Sequence, residues 1–217
     1  MPEDHATYLS EMLAVHDCLR HEFARMPLTV KAVPEGDSAR AAALGEHILL
    51  MLAVLQAHED AEDMLLWPLL VDRAPEAAGL VETQLLEHQV MSGLADTIRD
   101  EAVAWMANPG ILERSALHTT LIRLEKELLH HLAFEEQSIA QLVERHITLV
   151  ELVSVQARMR AALAPDQRYV ALGLVLKNTS AARGSAVLEG LPADEAVAFE
   201  EVGRPVYETY AERLADY

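Results

Sequence analysis

From Gly110 to Pro165 the chain contains no internal glycine or proline, and over most of its length apolar residues recur at intervals of three and four. Such a run cannot turn tightly, and its period matches the α-helix rather than the strand, so the sequence predicts an all-α protein. The remaining breaks divide it into four long units. The first helix is expected from about Glu3 to Met26, stopped by Pro27, and the loop LTVKAVPEGD follows, with Asp37 or Ser38 capping the second. That second helix reaches about Arg73, with Pro68 tightening or kinking its last turn. A third starts near Pro75 and Glu76, where proline suits a first turn, and stops at Asn108, Pro109 and Gly110. The fourth begins near Leu112 and either continues unbroken or bends around the β-branched HITLVELV segment. Four long helices with short connections predict an up-down four-helix bundle over residues 1–147. Residues 148–217, punctuated by Gly184, Gly190, Pro192, Gly203 and Pro205, read as a helical extension that packs on the bundle or on a second subunit, giving a homodimer.

Charge narrows the partners. Thirty-five acidic residues against 17 basic ones give a formal charge of −18, which repels phosphate backbones and anionic lipids, so neither nucleic acid nor membrane is expected. The opening MPEDHATYLSEM lacks a basic stretch followed by an apolar run, and apolar stretches such as HILLMLAVLQAHED are interrupted by charge, which predicts a soluble, cytoplasmic protein. With Cys18 the only cysteine, a metal would have to be held by His, Asp and Glu.

Two segments place a His four residues before a Glu, His58 with Glu62 and His131 with Glu135. Four residues is about one turn, so each pair projects from one helix face and can grip one ion or bridge two. The pairs fall on the second and fourth helices, and the other two helices offer His16 and His88 near their middles. Imidazoles and carboxylates converging from facing helices are a recurring way to build a dinuclear iron or manganese centre, and buried without a cation they would be costly. His130 lies about 100° from His131 on the helix and is the alternative ligand there, although only His131 has a Glu one turn later. His47 shares the face of His58 but sits roughly 16 Å along the axis, and is expected as a hydrogen-bonded core or rim residue. His5, His21, His118 and His146 fit surface roles, and Cys18 points away from the metal face.

These residues resemble the hemerythrin-like, or HHE cation-binding, domains. The resemblance covers roughly residues 5–147 and rests on His16 followed by Leu19 and Arg20, on HEDAEDMLLWPLL from His58 to Leu70, on Glu87–His88, and on His131 with Glu135 and Glu136. It implies His16, His58, His88 and His131 as nitrogen ligands and Glu62 and Glu135 as bridging or terminal carboxylates. Glu59 becomes a further ligand candidate or, unligated, a proton relay. It also implies two iron ions joined by an oxo or hydroxo bridge, with manganese or a mixed pair as the alternative. Oxygen-carrying relatives place a second His one turn after the third-helix His, where this chain has Ser92. An imidazole fewer leaves an open position and favours irreversible chemistry on oxygen or peroxide over reversible carriage.

The expected activity is therefore that of a diiron oxidoreductase using O2 or H2O2; the competing expectation is a protein that senses or stores O2, NO or iron without turnover. Met12, Leu55, Leu66, Met91, Ser92 and Leu128, turn-neighbours of the ligands, are the expected wall of a pocket for a small neutral molecule, beside their ordinary role as core.

Overall fold

A computed structural model describes the backbone of residues 2–215 and the side chains of residues 11–214; His5 lies outside the described side chains. Among the described residues there is no strand. The long helices are α1 (Pro2–Ala32), α2 (Ser38–Ala61), continued through a wide π-turn (Glu62–Leu66) into α3 (Trp67–Arg73), α4 (Ala78–Ala107) and α5 (Ile111–Ser138). In cross-section α1 packs on α2, α2 on α4, α4 on α5 and α5 back on α1, which is a closed up-down four-helix ring.

Local chemistry accounts for most boundaries. The Asp37 side chain accepts the Arg40 N–H at 3.1 Å and caps α2. Gly36 adopts φ +80, open to glycine, and its N–H donates to the Pro109 carbonyl at 2.9 Å, tying the first and third loops together at one end. Pro75 opens the short 3-10 turn that leads into α4.

Three expectations are corrected. The first helix does not stop at Pro27 but runs on to Ala32. Phe23, Met26, Val30 and Val33 form one buried apolar stripe across the proline, and burying them outweighs the one backbone hydrogen bond that proline removes. The second helix reaches Arg73, but it widens at Glu62–Leu66 before Pro68, and that turn shifts the backbone register just upstream of the ring. Finally, charge does not interrupt every apolar stretch short of a span: the α2–α3 helix is long and apolar enough to cross a membrane by length and composition, with 61% of its most apolar window buried inside the protein.

The fourth long helix bends. After Ser138 come α6 (Ala140–His146) and, past the extended Ile147, α7 (Leu149–Ala161), capped reciprocally by Thr148 and Glu151. Arg73 at the end of α3 holds this corner by donating to the Glu151 carboxylate at 2.7 and 2.5 Å and to the His146 carbonyl at 2.8 Å. The chain ends in α8 (Pro165–Asn178), α9 (Ala181–Gly190), α10 (Ala193–Ala198), a second π-turn (Phe199–Gly203) and α11 (Arg204–Ala215). Helices α8 and α9 lie on α1, α7 on α2, and α11 on α8, so this segment packs on its own bundle. Gly173 permits the α8–α11 approach, since a Cβ there would meet the Tyr207 ring at 2.1 Å.

Two apolar cores result. The larger fills the bundle around Leu19, Met51, Leu55, Met91, Leu128 and Leu132. The second joins Ala61, Leu66, Trp67 and Leu70 to Ile139, Val143 and Leu152 at the end closed by α3, α6 and α7. Along α2, α4 and α5 the polar residues that follow fall between these two cores, and on α1 His16 lies beside Ala14 and Cys18 of the first.

Candidate metal centre

Each bundle helix delivers its polar residues to this level. His16 comes from α1, His58 from the last turn of α2, Glu62 from the first position of the π-turn, His88 from α4, and His131 and Glu135 from α5, and all six are buried. One set of ligand atoms, from His16, His58, Glu62 and Glu135, lies within 4.8 Å of one another, and a second set comprises Glu62, His88 and His131. His16 Nε2 and His58 Nε2 are 3.3 Å apart, and His88 Nε2 and His131 Nε2 3.4 Å. Two nitrogens bound to one ion at ~2.1 Å, at tetrahedral to octahedral angles, would lie roughly 3.0–3.4 Å apart. The carboxylates span the two sets. Glu62 sets Oε1 3.4 Å from His58 Nε2 and Oε2 3.7 Å from His88 Nε2, while Glu135 Oε2 is 3.5 Å from His16 Nε2 and 3.9 Å from His131 Nε2.

The opposite edge of three rings is held by an acid. His16 Nδ1 is 2.8 Å from Glu136, His88 Nδ1 2.7 Å from Asp63, and His131 Nδ1 3.1 Å from Glu87. Arg20 in turn holds Glu136 at 2.7 Å. A carboxylate at Nδ1 places the proton there and turns the Nε2 lone pair inward, the arrangement that orients metal-binding imidazoles. For His88 and His131 this sets two lone pairs against each other, so either a proton or a metal ion must lie between them.

Electrostatics point the same way. Burial, followed by the charges of His16, His131 and His88, holds His58 well below the ordinary imidazole range, and burial with the neighbouring histidines lowers His131 to about 2. Burial, then the nearby acids, pushes the Glu62 carboxyl well above its usual range, and burial likewise raises Glu135. His88 is raised, since the Asp63 hydrogen bond and the surrounding acids overcome the opposing effect of burial. Glu62 Oε2 and Glu135 Oε2 have no hydrogen-bond partner. Imidazoles whose charge burial disfavours at His58 and His131, beside the Glu62 and Glu135 carboxyls whose charge it also disfavours, belong to a donor set that one or two divalent cations would satisfy, displacing protons as they bind.

Glu59 is buried beside this cluster but outside both ligand sets, and its Oε1 has no partner. Burial pushes its carboxyl up to about 8, with the His88 charge opposing and Asp63 and Asp60 adding. His130 is 70% exposed and pairs with Glu87 from outside, whereas the His131 ring is fully buried. His47 is a buried hydrogen-bonded residue away from the cluster, 2.5 Å from the Tyr210 hydroxyl and 3.2 Å from Glu22. Cys18 is buried on the face turned toward Asn178. Of the six residues expected to wall a pocket, only Met12 borders the large cavity of this protein. Leu55, Leu66, Met91 and Leu128 are closed into the two cores, and Ser92 is exposed, because the buried face of α4 passes from His88 to Met91 rather than to Ser92.

The sequence reasoning missed Asp63, Glu87 and Glu136 as partners of the rings. Each is the chain neighbour of a ligand candidate, and the 100° rotation between successive helical residues aims it at the imidazole of the adjacent helix. The family model described as the hemerythrin HHE cation binding domain matches residues 7–143. No curated protein and no solved structure matches the chain.

Proposed function

The chain belongs to the hemerythrin HHE cation-binding family, and on that premise we propose that it is a non-haem diiron oxidoreductase acting with O2 or H2O2. The observation that carries the proposal is the six-residue donor set in which two carboxylates each span two histidine pairs, with lone pairs facing one another and carboxylate oxygens left unpartnered. Nitrogen and carboxylate donors in this number suit iron or manganese, and His16, His58, Glu62, His88, His131 and Glu135 are the residues that would hold the ions.

Iron held there would supply a change of oxidation state and a position for a small oxidant. The rest falls to the protein's own residues. Glu136, Asp63 and Glu87 keep the rings in one tautomer and orientation. The two apolar cores exclude water from either end. Glu59, one residue from His58, has a carboxyl that burial pushes up to about 8 in the metal-free protein and one oxygen without a partner, so it can hold a proton beside the centre.

Metal analysis of protein produced with added iron, with visible spectra before and after hydrogen peroxide, tests the reading. About two irons per chain whose spectrum bleaches or turns over with peroxide is the expected result. Two irons inert to both O2 and peroxide would instead favour a sensing or storage role, and iron-free protein under iron-replete conditions would refute the centre itself.

A further inference from the structure

A cavity of about 240 Å³ lies outside the bundle interior, between α1, α2 and the C-terminal segment. Its floor includes Met12, Val15 and Val54, and its roof Val155, Leu172 and Val187 from α7, α8 and α9. The roof therefore comes from residues beyond the family match at 7–143. At its inner end the wall is His58 and Glu62, two of the candidate ligands; at its outer end stand the exposed Arg168 and Glu195.

We propose that this cavity is the binding site for a small, uncharged, largely apolar organic molecule, which it presents to the His58–Glu62 edge of the metal centre. The inference rests on the diiron reading above and names the class of substrate for that same site. Size sets the first limit, because at ~30 Å³ for a water-sized group the cavity holds roughly eight non-hydrogen atoms, the dimensions of an indole or an alkylbenzene. Charge sets the second. The rim carries two arginines and two glutamates, and Arg160 is already paired with Glu195 at 3.1 Å. Burial pushes the remaining acid, Glu11, up to about 7 against the pull of Arg160, which leaves Arg168 as the one unmatched rim charge, and Arg168 stands exposed at the outer end where water already solvates it. Between the rim and the His58–Glu62 end the wall is aliphatic and aromatic except for Gln156, and a charged body placed there would lose its hydration with no opposite charge beside it.

Anaerobic calorimetry of the metal-loaded protein with indole, benzoate and benzylamine tests the proposal, alongside the visible spectrum of the centre. Indole is expected to bind one per chain, at least tenfold tighter than either charged analogue, and to shift the spectrum because His58 and Glu62 form part of the cavity wall. Leu172→Trp and Val187→Phe, which fill the cavity from two different helices, should each weaken indole tenfold or more while metal content and helicity stay at the wild-type level. Magnetisation transfer from indole to the labelled methyls of Met12 and Met159 reports the same site without any substitution. Binding that survives both substitutions, equal binding of benzoate or benzylamine, or no transfer to those methyls overturns the proposal even if iron is present. Indole bound to a protein that takes up no iron would sink the diiron reading and leave the pocket standing.

Discussion

Replacing Glu62 by leucine should change stability in opposite directions with and without metal. In the metal-free protein Glu62 is 3% exposed, its Oε2 has no partner, and burial disfavours its charge. An unsatisfied buried polar group costs about 1–3 kcal/mol, and leucine occupies similar space without that penalty, so Glu62→Leu should stabilise the metal-free form by roughly 2 kcal/mol. For a chain of this length, at roughly 2–4 °C per kcal/mol, the midpoint should rise by about 4–8 °C. With metal the sign reverses. Iron(II) at a hundredfold excess over its Kd stabilises the wild type by about 2.7 kcal/mol, and the variant, having lost an atom from each ligand set, should gain little. The assay is anaerobic thermal unfolding followed by circular dichroism, with chelator and then with iron(II), and metal content measured on the same samples. A variant destabilised equally in both conditions, with iron content unchanged, would show that Glu62 is a packing residue and that the donor-set argument fails.

His131→Ala should remove at least half of the bound metal, whereas His130→Ala, at a ring that is mostly exposed, should leave metal content at the wild-type value; the reverse pattern in elemental analysis would shift the ligand by one position. Burial pushes the Glu22 carboxyl up, yet its hydrogen bond to His47, the His47 charge and the Asn178 amide together hold it at about 2. Being depressed below the ordinary value of 4.5, it contributes stability that is complete above pH 4.5 and lost as pH falls toward 2, about 3 kcal/mol in all at 1.36 kcal/mol per unit. Glu22→Gln should flatten denaturant-measured stability across that window, and an unchanged slope would refute the assignment.

How far the sequence reveals this site follows from what each residue depends on. His58 with Glu62 and His131 with Glu135 stood out as His–Glu pairs one helical turn apart, whereas His16 and His88 were singled out by their place mid-way along the other two helices and by the family resemblance; the fold brings all six together. The continuation of α1 through Pro27 was not, since it is decided by partners for Met26 and Val30 that lie on other helices. The wide turn at Glu62–Leu66 was hidden because only the seven residues of α3 follow it, too few for a shift of phase in the apolar repeat to stand out. The cavity was misplaced for a related reason. Wheel-neighbours of the ligands, such as Leu55 and Met91, show only which side of a helix is buried, whereas the open space depends on how α7, α8 and α9 fold back, and nothing in their short amphipathic repeats fixes that.

The pairing of three of the imidazoles with an acid from another helix also has a consequence in time. His16 and the Glu136 that orients it stand 120 residues apart in sequence, and His131 takes its partner from the preceding helix. During synthesis, the first three helices would already carry four of the six donors but neither Glu135 nor the acid that aims His16. A nascent chain therefore lacks the complete donor set until α5 has emerged and docked, and full occupancy of such a centre would have to wait for the bundle to close.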